Sequence, residues 1–213
     1  MQCGVFIMVE NRHDYENLGV FQQYPYTNRW GIPQLKGCFD IPTDVVFKNS
    51  EFCTRIKDCE ERKNTWVMFY EWDWKFMRYW QYPKRYAKFL ETFGGVITPQ
   101  FSVYLDAPPA TQLYSVYRSR WLGAYWESLG IKVIPDVCWG DEKSWDFCFS
   151  GIPKSSIISI GGQFGSEPSV AVDYYWDAGF EKMCDIIDPI AILYYGAKKD
   201  KPITSRKIIQ IGS

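Results

Sequence analysis

The chain has 213 residues, 46% of them hydrophobic and 18% aromatic, which fits one large or two small domains with a sizeable core and excludes a disordered chain. A formal net charge of −1 leaves no global basic field to hold duplex DNA non-specifically, and no run of about 18 apolar residues is present to span a membrane. The cysteines number seven with no C-x-x-C pair, and the one histidine is His13. That pattern argues against a zinc site and most His-dependent hydrolase triads, and predicts mostly reduced, buried thiols in a cytoplasmic protein.

Residues 1–41 read as an irregular, aromatic, Gly/Pro-punctuated arm packed on the body, with the apolar run Val5 to Val9 as a strand or buried plug. The run is only about five residues long and lacks a basic flank, so it does not read as a signal peptide. Residues 42–213 read as a single (β/α) domain. Strands are predicted at 44–48 and 65–71, the second nearly all apolar, as a strand buried on both faces should be. The charged stretch 51–64 between them reads as a surface loop or short helix. A helix over 86–93 carries Tyr86, Phe89, Leu90 and Phe93 on one face and stops at Gly94–Gly95. A third strand spans 96–104.

Pro108–Pro109 then set the entry of a long helix whose Leu113, Val116, Tyr117, Trp121, Ala124, Tyr125 and Leu129 recur at three- and four-residue steps. Gly130 suits its left-handed C-cap. A strand at 132–139, a short helix at 144–149 and a strand at 156–160 follow, then the turn GGQFGS at 161–166. A helix over 173–187, a strand at 191–195 and a further strand at 207–211 complete the chain. The alternation predicts an α/β fold with a parallel sheet. A complete eight-fold barrel needs about 250 residues, so a reduced or incomplete TIM-barrel-like fold is expected. An open doubly wound sheet is the alternative.

TPQFSVY (98–104), YRSRWLGAYW (117–126), IKVIPDVCWGDEKSWDFCFSGIPK (131–154) and ILYYG (192–196) together resemble a domain-of-unknown-function family common in prophages and other bacterial mobile elements. The resemblance runs from about residue 30 to 197. It implies a mobile-element source and names no activity. Gln100 stands where the family usually carries Asp, and GGQFG where it often carries Thr-His-Gly. These departures weigh against an Asp/His catalytic pair and leave a binding role intact.

In parallel α/β sheets ligands bind outside the carboxyl ends of the strands. Under the predicted topology that rule selects Asn49, Glu71, Asp73, Gln100, Ser102, Tyr104, Asp136, Trp139, Asp141, Gln163 and Tyr195. Glu71, Asp73 and Asp136 are candidate carboxylates for general acid and base work on a glycosidic bond; their plainer role is capping or facing water. Gln100 and Ser102 can only hydrogen-bond, to a ligand or within a polar layer. GGQFGS can cradle a phosphate with backbone N–H groups, although it matches no Walker or dinucleotide fingerprint. Arg118 and Arg120 flank the long helix's apolar stripe, as a phosphate clamp or as solvated surface arginines. Trp72, Trp74, Trp80 and Trp139 can stack on a base or sugar or pack in the core.

Three functions follow. The first is binding of a nucleotide-like or other small polar ligand at the strand ends, with no cofactor or metal. The second is a hydrolase or transferase using paired carboxylates. The third is a nucleic-acid-associated accessory protein, supported by Lys75, Arg78, Lys84, Arg85 and Lys88.

Overall fold

The structure, a computed structural model, describes residues 24–162, 170–197, 202 and 204–212. His13, the Val5 to Val9 run, Gln163 and most of the GGQFGS turn lie outside the described residues. Among those described, the elements in order are β1 (Val46–Asn49), α1 (Ser50–Cys53), α2 (Cys59–Lys63), β2 (Thr65–Met68), α3 (Asp73–Gln81), α4 (Pro83–Leu90) and β3 (Gly95–Ile97). They continue with α5 (Pro109–Ser128), β4 (Val133–Ile134), α6 (Trp145–Cys148), β5 (Ile157–Gly161), α7 (Val170–Ile187), β6 (Ala191–Tyr195) and β7 (Ile208–Gly212).

Strands β1 to β4 form one sheet in sequence order and β5 to β7 a second. Every strand pair is parallel, and helices lie in the connections β1–β2, β2–β3, β3–β4 and β5–β6, the crossovers that parallel neighbours need. A parallel bridge between Asp136 and Ser159 links the sheets, through Val137 N–H to the Ser159 carbonyl at 2.8 Å and Ser159 N–H to the Pro135 carbonyl at 2.9 Å. No ladder joins β7 back to β1 among the described residues. The fold is therefore α/β with open parallel sheets and no closed barrel, an arrangement that the open-sheet alternative fits.

The middle strands are shorter than their apolar runs predict, and prolines account for two of them. Pro99 and Pro135 have no N–H to give to a ladder, so β3 ends at Ile97 and β4 at Ile134. Beyond β2, Tyr70 exchanges its backbone bonds with a side chain: Tyr70 N–H donates to Asn49 Oδ1 at 3.0 Å, and Asn49 Nδ2 donates to the Tyr70 carbonyl at 3.2 Å. Helix α3 stands where no helix is predicted from the sequence. Its stripe is Phe76, Tyr79 and Trp80, its N-cap Trp72 makes no side-chain cap, and Pro83 restarts the helix after one residue as the N1 of α4.

Side chains alternate along the strands and feed different clusters. Trp66, Met68, Tyr70, Ile97, Ile134, Ile157, Ala191, Leu193 and Ile211 belong to one cluster shared by both sheets. The intervening Val67, Phe69, Val96 and Val133 pack with α3, α4 and α5. Ile158, Ile160, Ile192 and Tyr194 pack with α6 and α7. The inner face of one sheet thus shares its core with the inner face of the other.

Helix α5 corrects the predicted stripe. Leu129 is exposed, while Gln112, Ser115, Ser119, Arg120, Leu122, Gly123, Trp126 and Glu127 are buried alongside Val116 and Trp121. Its packed side is partly polar because it receives other segments. Glu127 accepts the N–H groups of Lys36 at 2.7 Å and Gly37 at 3.0 Å. Leu35 N–H in turn reaches the Gly151 carbonyl at 2.9 Å, so residues 35–37 lie against the body. Gly130 takes φ +84° after the helix, the left-handed stop expected there.

Candidate functional site

The inward alternation puts polar side chains one step beyond the apolar layer. After Met68 comes Tyr70, after Ile134 comes Asp136, after Ile157 come Ser159 and Gly161, and after Leu193 comes Tyr195. Tyr70 O–H donates to Asp136 Oδ1 at 2.8 Å and lies 2.5 Å from Ser159 Oγ. Ser159 Oγ is 3.1 Å from the Leu193 carbonyl. Tyr195 stacks on Tyr70 with ring centroids 4.6 Å apart and planes 5° from parallel. Gly161 lets Gln100 approach: a Cβ there would sit 3.0 Å from both amide atoms of Gln100 and from Tyr70 Cε1. Tyr70, Gln100, Asp136, Ser159, Gly161 and Tyr195 therefore converge.

Asp136 is 1% exposed, and its Oδ2 meets no hydrogen-bond partner among the described residues. Burial pushes its carboxyl up to about 7, against the opposing pull of the Tyr70 hydrogen bond and the Arg120 charge. Burial likewise raises the Tyr70 phenol well above its ordinary value, with the Asp136 charge acting in the same direction.

Proton accounting links these groups. With Asp136 ionised, Tyr70 donates to it, and the one Ser159 proton goes to Tyr70 or to the Leu193 carbonyl. With Oδ1 protonated, the bonds can run one way from Asp136 to Tyr70 to Ser159 to the Leu193 carbonyl. Among the described residues Oδ2 stays unpartnered in both arrangements, so the site retains one unused oxygen in either charge state.

The Asp136 backbone is fixed from behind. Its N–H donates to Thr98 Oγ1 at 2.8 Å, and Ser119 Oγ donates to the same hydroxyl at 3.2 Å. Arg120, only 2% exposed, donates to the carbonyls of Asp136 at 2.7 Å, Cys148 at 3.1 Å and Ser150 at 3.3 Å. Neither alternative read from the sequence holds for Arg120. It is neither a solvated surface arginine nor a phosphate clamp, because its guanidinium is spent on backbone carbonyls that tie α5 and α6 to β4.

Other predicted site residues are engaged in different surroundings. Asp73 accepts Ser102 N–H at 3.2 Å and Ser102 Oγ at 2.9 Å. Glu71 accepts Ser50 Oγ at 2.5 Å, and its carboxyl is raised by burial. The candidate carboxylates thus have three different sets of partners. Arg118 lies over Phe101 and Tyr114, at 4.1 and 4.7 Å from the ring centroids. Trp139 donates Nε1–H to the Tyr175 carbonyl at 3.0 Å and packs against Phe149 and Trp176. Asp141 accepts Ser144 N–H at 3.3 Å and shapes the turn into α6. Tyr104 is exposed, and its carbonyl accepts Gln112 Nε2 at 2.7 Å. Gln163 lies outside the described residues.

Sequence reasoning missed Tyr70 and Ser159, and singled out Gly161 only as the first residue of the GGQFGS turn. The first two sit inside apolar strands, and the only signal was the two-residue alternation counted from Trp66 and Ile157.

A family model described as a domain of unknown function (DUF4417) matches residues 24–211. The Gene 1 protein of Mycobacterium phage L5 is 32% identical over 195 residues, covering 92% of this chain and 80% of that protein. The Gene 1 protein of Mycobacterium phage D29 is 31% identical over 182 residues, covering 85% of this chain. The match spans 66% of the D29 protein. No solved structure matches. On the breadth of the family match and these two relatives, the chain belongs to the DUF4417 family.

Proposed function

We propose that this is a phage-type (β/α) protein that binds a small polar, nucleotide-like ligand at the carboxyl ends of its parallel strands. In this reading the two sheets act as one incomplete barrel-like body, open between β1 and β7. The Asp136–Ser159 bridge and the shared inner cluster support that part.

The observation that carries the reading is the Oδ2 of Asp136, which meets no hydrogen-bond partner among the described residues and lies buried beside Tyr70 and Ser159. An unsatisfied buried polar atom costs about 1–3 kcal/mol, and here it lies at strand ends, where α/β proteins bind ligands. Gln100, close to Gly161, and Tyr195, stacked on the Tyr70 ring that holds Asp136, offer an amide and a ring. A carboxyl near neutrality can accept from a ligand or donate to it.

The test is a thermal-shift screen against nucleotides, cyclic nucleotides, sugars and short oligonucleotides. A ligand at about 100 times its dissociation constant adds roughly 2.7 kcal/mol, a rise of several degrees in a domain of this size. The expected outcome is a hit that disappears in Gln100→Ala and in Asp136→Asn, with the folded circular-dichroism spectrum retained. A hit unaffected by both substitutions refutes this location for the site.

A further inference from the structure

A cleft of about 580 Å³ opens between β1 and β7. Its size falls within the roughly 300–1,000 Å³ typical of small-ligand sites. Its apolar lining includes Phe47, Phe52, Met68, Tyr195 and Ile211. Among the described residues both flanking strands are the outermost of their sheets, the position in which a strand presents backbone groups outside a ladder.

The charge of this cleft departs from that of the molecule. It is lined by Lys48, Arg55, Lys57 and Glu61, a surplus of positive charge in a chain whose formal net charge is −1. Glu61 accounts for Lys48, with their charged atoms 2.8 Å apart. Arg55 and Lys57 are exposed and meet no carboxylate at ion-pair distance among the described residues. Both follow α1, which begins immediately after β1, so they stand at the carboxyl-terminal side of that strand. Tyr195 connects this cleft to the polar layer, because the ring that lines it also stacks on Tyr70.

We infer that the cleft between β1 and β7 takes the phosphate of a phosphate-bearing ligand, held by Arg55 and Lys57. The ligand's ring lies against the aromatic side of the cleft formed by Tyr195 and Phe47. This inference rests on the small-ligand reading above and adds two specifics: the ligand carries phosphate, and it enters by the seam. Arginine suits the role because its planar fork binds phosphate oxygens in pairs, with lysine adding a point charge.

The experiment is isothermal titration of the full chain with AMP, GMP and inorganic pyrophosphate, with adenosine and guanosine as phosphate-free controls. It is repeated in Arg55→Ala/Lys57→Ala and, separately, in Asp136→Asn. Arg55 and Lys57 are exposed, so the double variant should keep its melting temperature. The inference expects a nucleotide to bind wild type, the matching nucleoside to bind about tenfold or more weakly, and the double variant to lose about tenfold or more in affinity. Nucleotide binding that survives the double variant but fails in Asp136→Asn overturns the cleft and leaves the strand-end reading standing. Equal affinity for nucleoside and nucleotide overturns the phosphate and again spares that reading. No binding of any probe to wild type overturns the phosphate-bearing ligand; the broader screen above then decides the strand-end reading by itself.

Discussion

A fully buried aspartate with one unpartnered oxygen is destabilising whenever it is charged. Burial pushes the Asp136 carboxyl of the folded protein up to about 7, from 3.8 for an ordinary aspartate. The unfolded chain therefore binds fewer protons across that interval, and stability falls as pH rises through it. The contribution is complete below about pH 4 and lost above about pH 7, a difference of a few kcal/mol. Melting temperature measured from pH 5 to pH 8 should fall in wild type. Asp136→Asn, which mimics the neutral carboxyl, should flatten that slope; parallel curves would mean that another group carries it. Arg120 makes a second prediction. Its three backbone carbonyls lose their donor in Arg120→Met, which should cost about 2–5 kcal/mol in urea unfolding, and Lys should rescue little because it lacks the fork. Asp136 was legible in the sequence as a carboxylate at a strand end. Arg120 was not, because the same spacing serves a solvated arginine and one pointing into the layer between helix and strand.

Helix α7 docks through a contact that only a glycine permits. A Cβ on Gly179 would lie 2.1 Å from Trp139 Nε1 and 2.2 Å from Cδ1. The indole is held in place by its bond to the Tyr175 carbonyl and by Trp176 and Phe149, so it cannot retreat freely. Gly179→Ala should destabilise by about 1–3 kcal/mol through overpacking, read as a lower urea midpoint with little change in slope. A variant as stable as wild type would show that the indole has room to move. The helix itself was legible, since Trp176, Phe180, Met183, Cys184 and Ile187 share a face and four of them are buried in one cluster. Its partner was not. Trp139 stood near a strand end and fitted a stacking platform equally well, and periodicity assigns a side chain to a face without naming what lies opposite. The same limit explains α5, whose apolar periodicity located the helix while its packed side is set by Glu127, Ser119 and Arg120.

At the scale of the whole molecule, alternating apolar runs and helices were enough to specify a parallel α/β fold, because strands covered on both faces must read as apolar. The division into two sheets was not legible. It depends on Pro135 ending β4 and on the few residues that then meet β5, and a sequence does not show how many ladder bonds survive beside a proline. That narrow junction raises the question of whether the two sheets unfold separately. Two backbone hydrogen bonds join them at Ser159, too little by itself to couple two bodies. Coupling comes instead from the inner cluster, in which Trp66, Met68 and Ile97 of one sheet share a core with Ile157, Leu193 and Ile211 of the other. Separating the sheets would expose that entire core to water, at about 25 cal/mol per Å² of apolar surface. A single cooperative transition is therefore expected, with far-ultraviolet circular dichroism and tryptophan fluorescence giving the same urea midpoint. The probes sample both parts, since Trp121 and Trp126 lie in the cluster beside the first sheet and Trp139 and Trp176 pack beside the second. Two resolved transitions would show that the inner core does not bind the sheets together. Coincident ones would mean that a ligand seated at the strand ends stabilises the whole chain, as a thermal-shift assay requires.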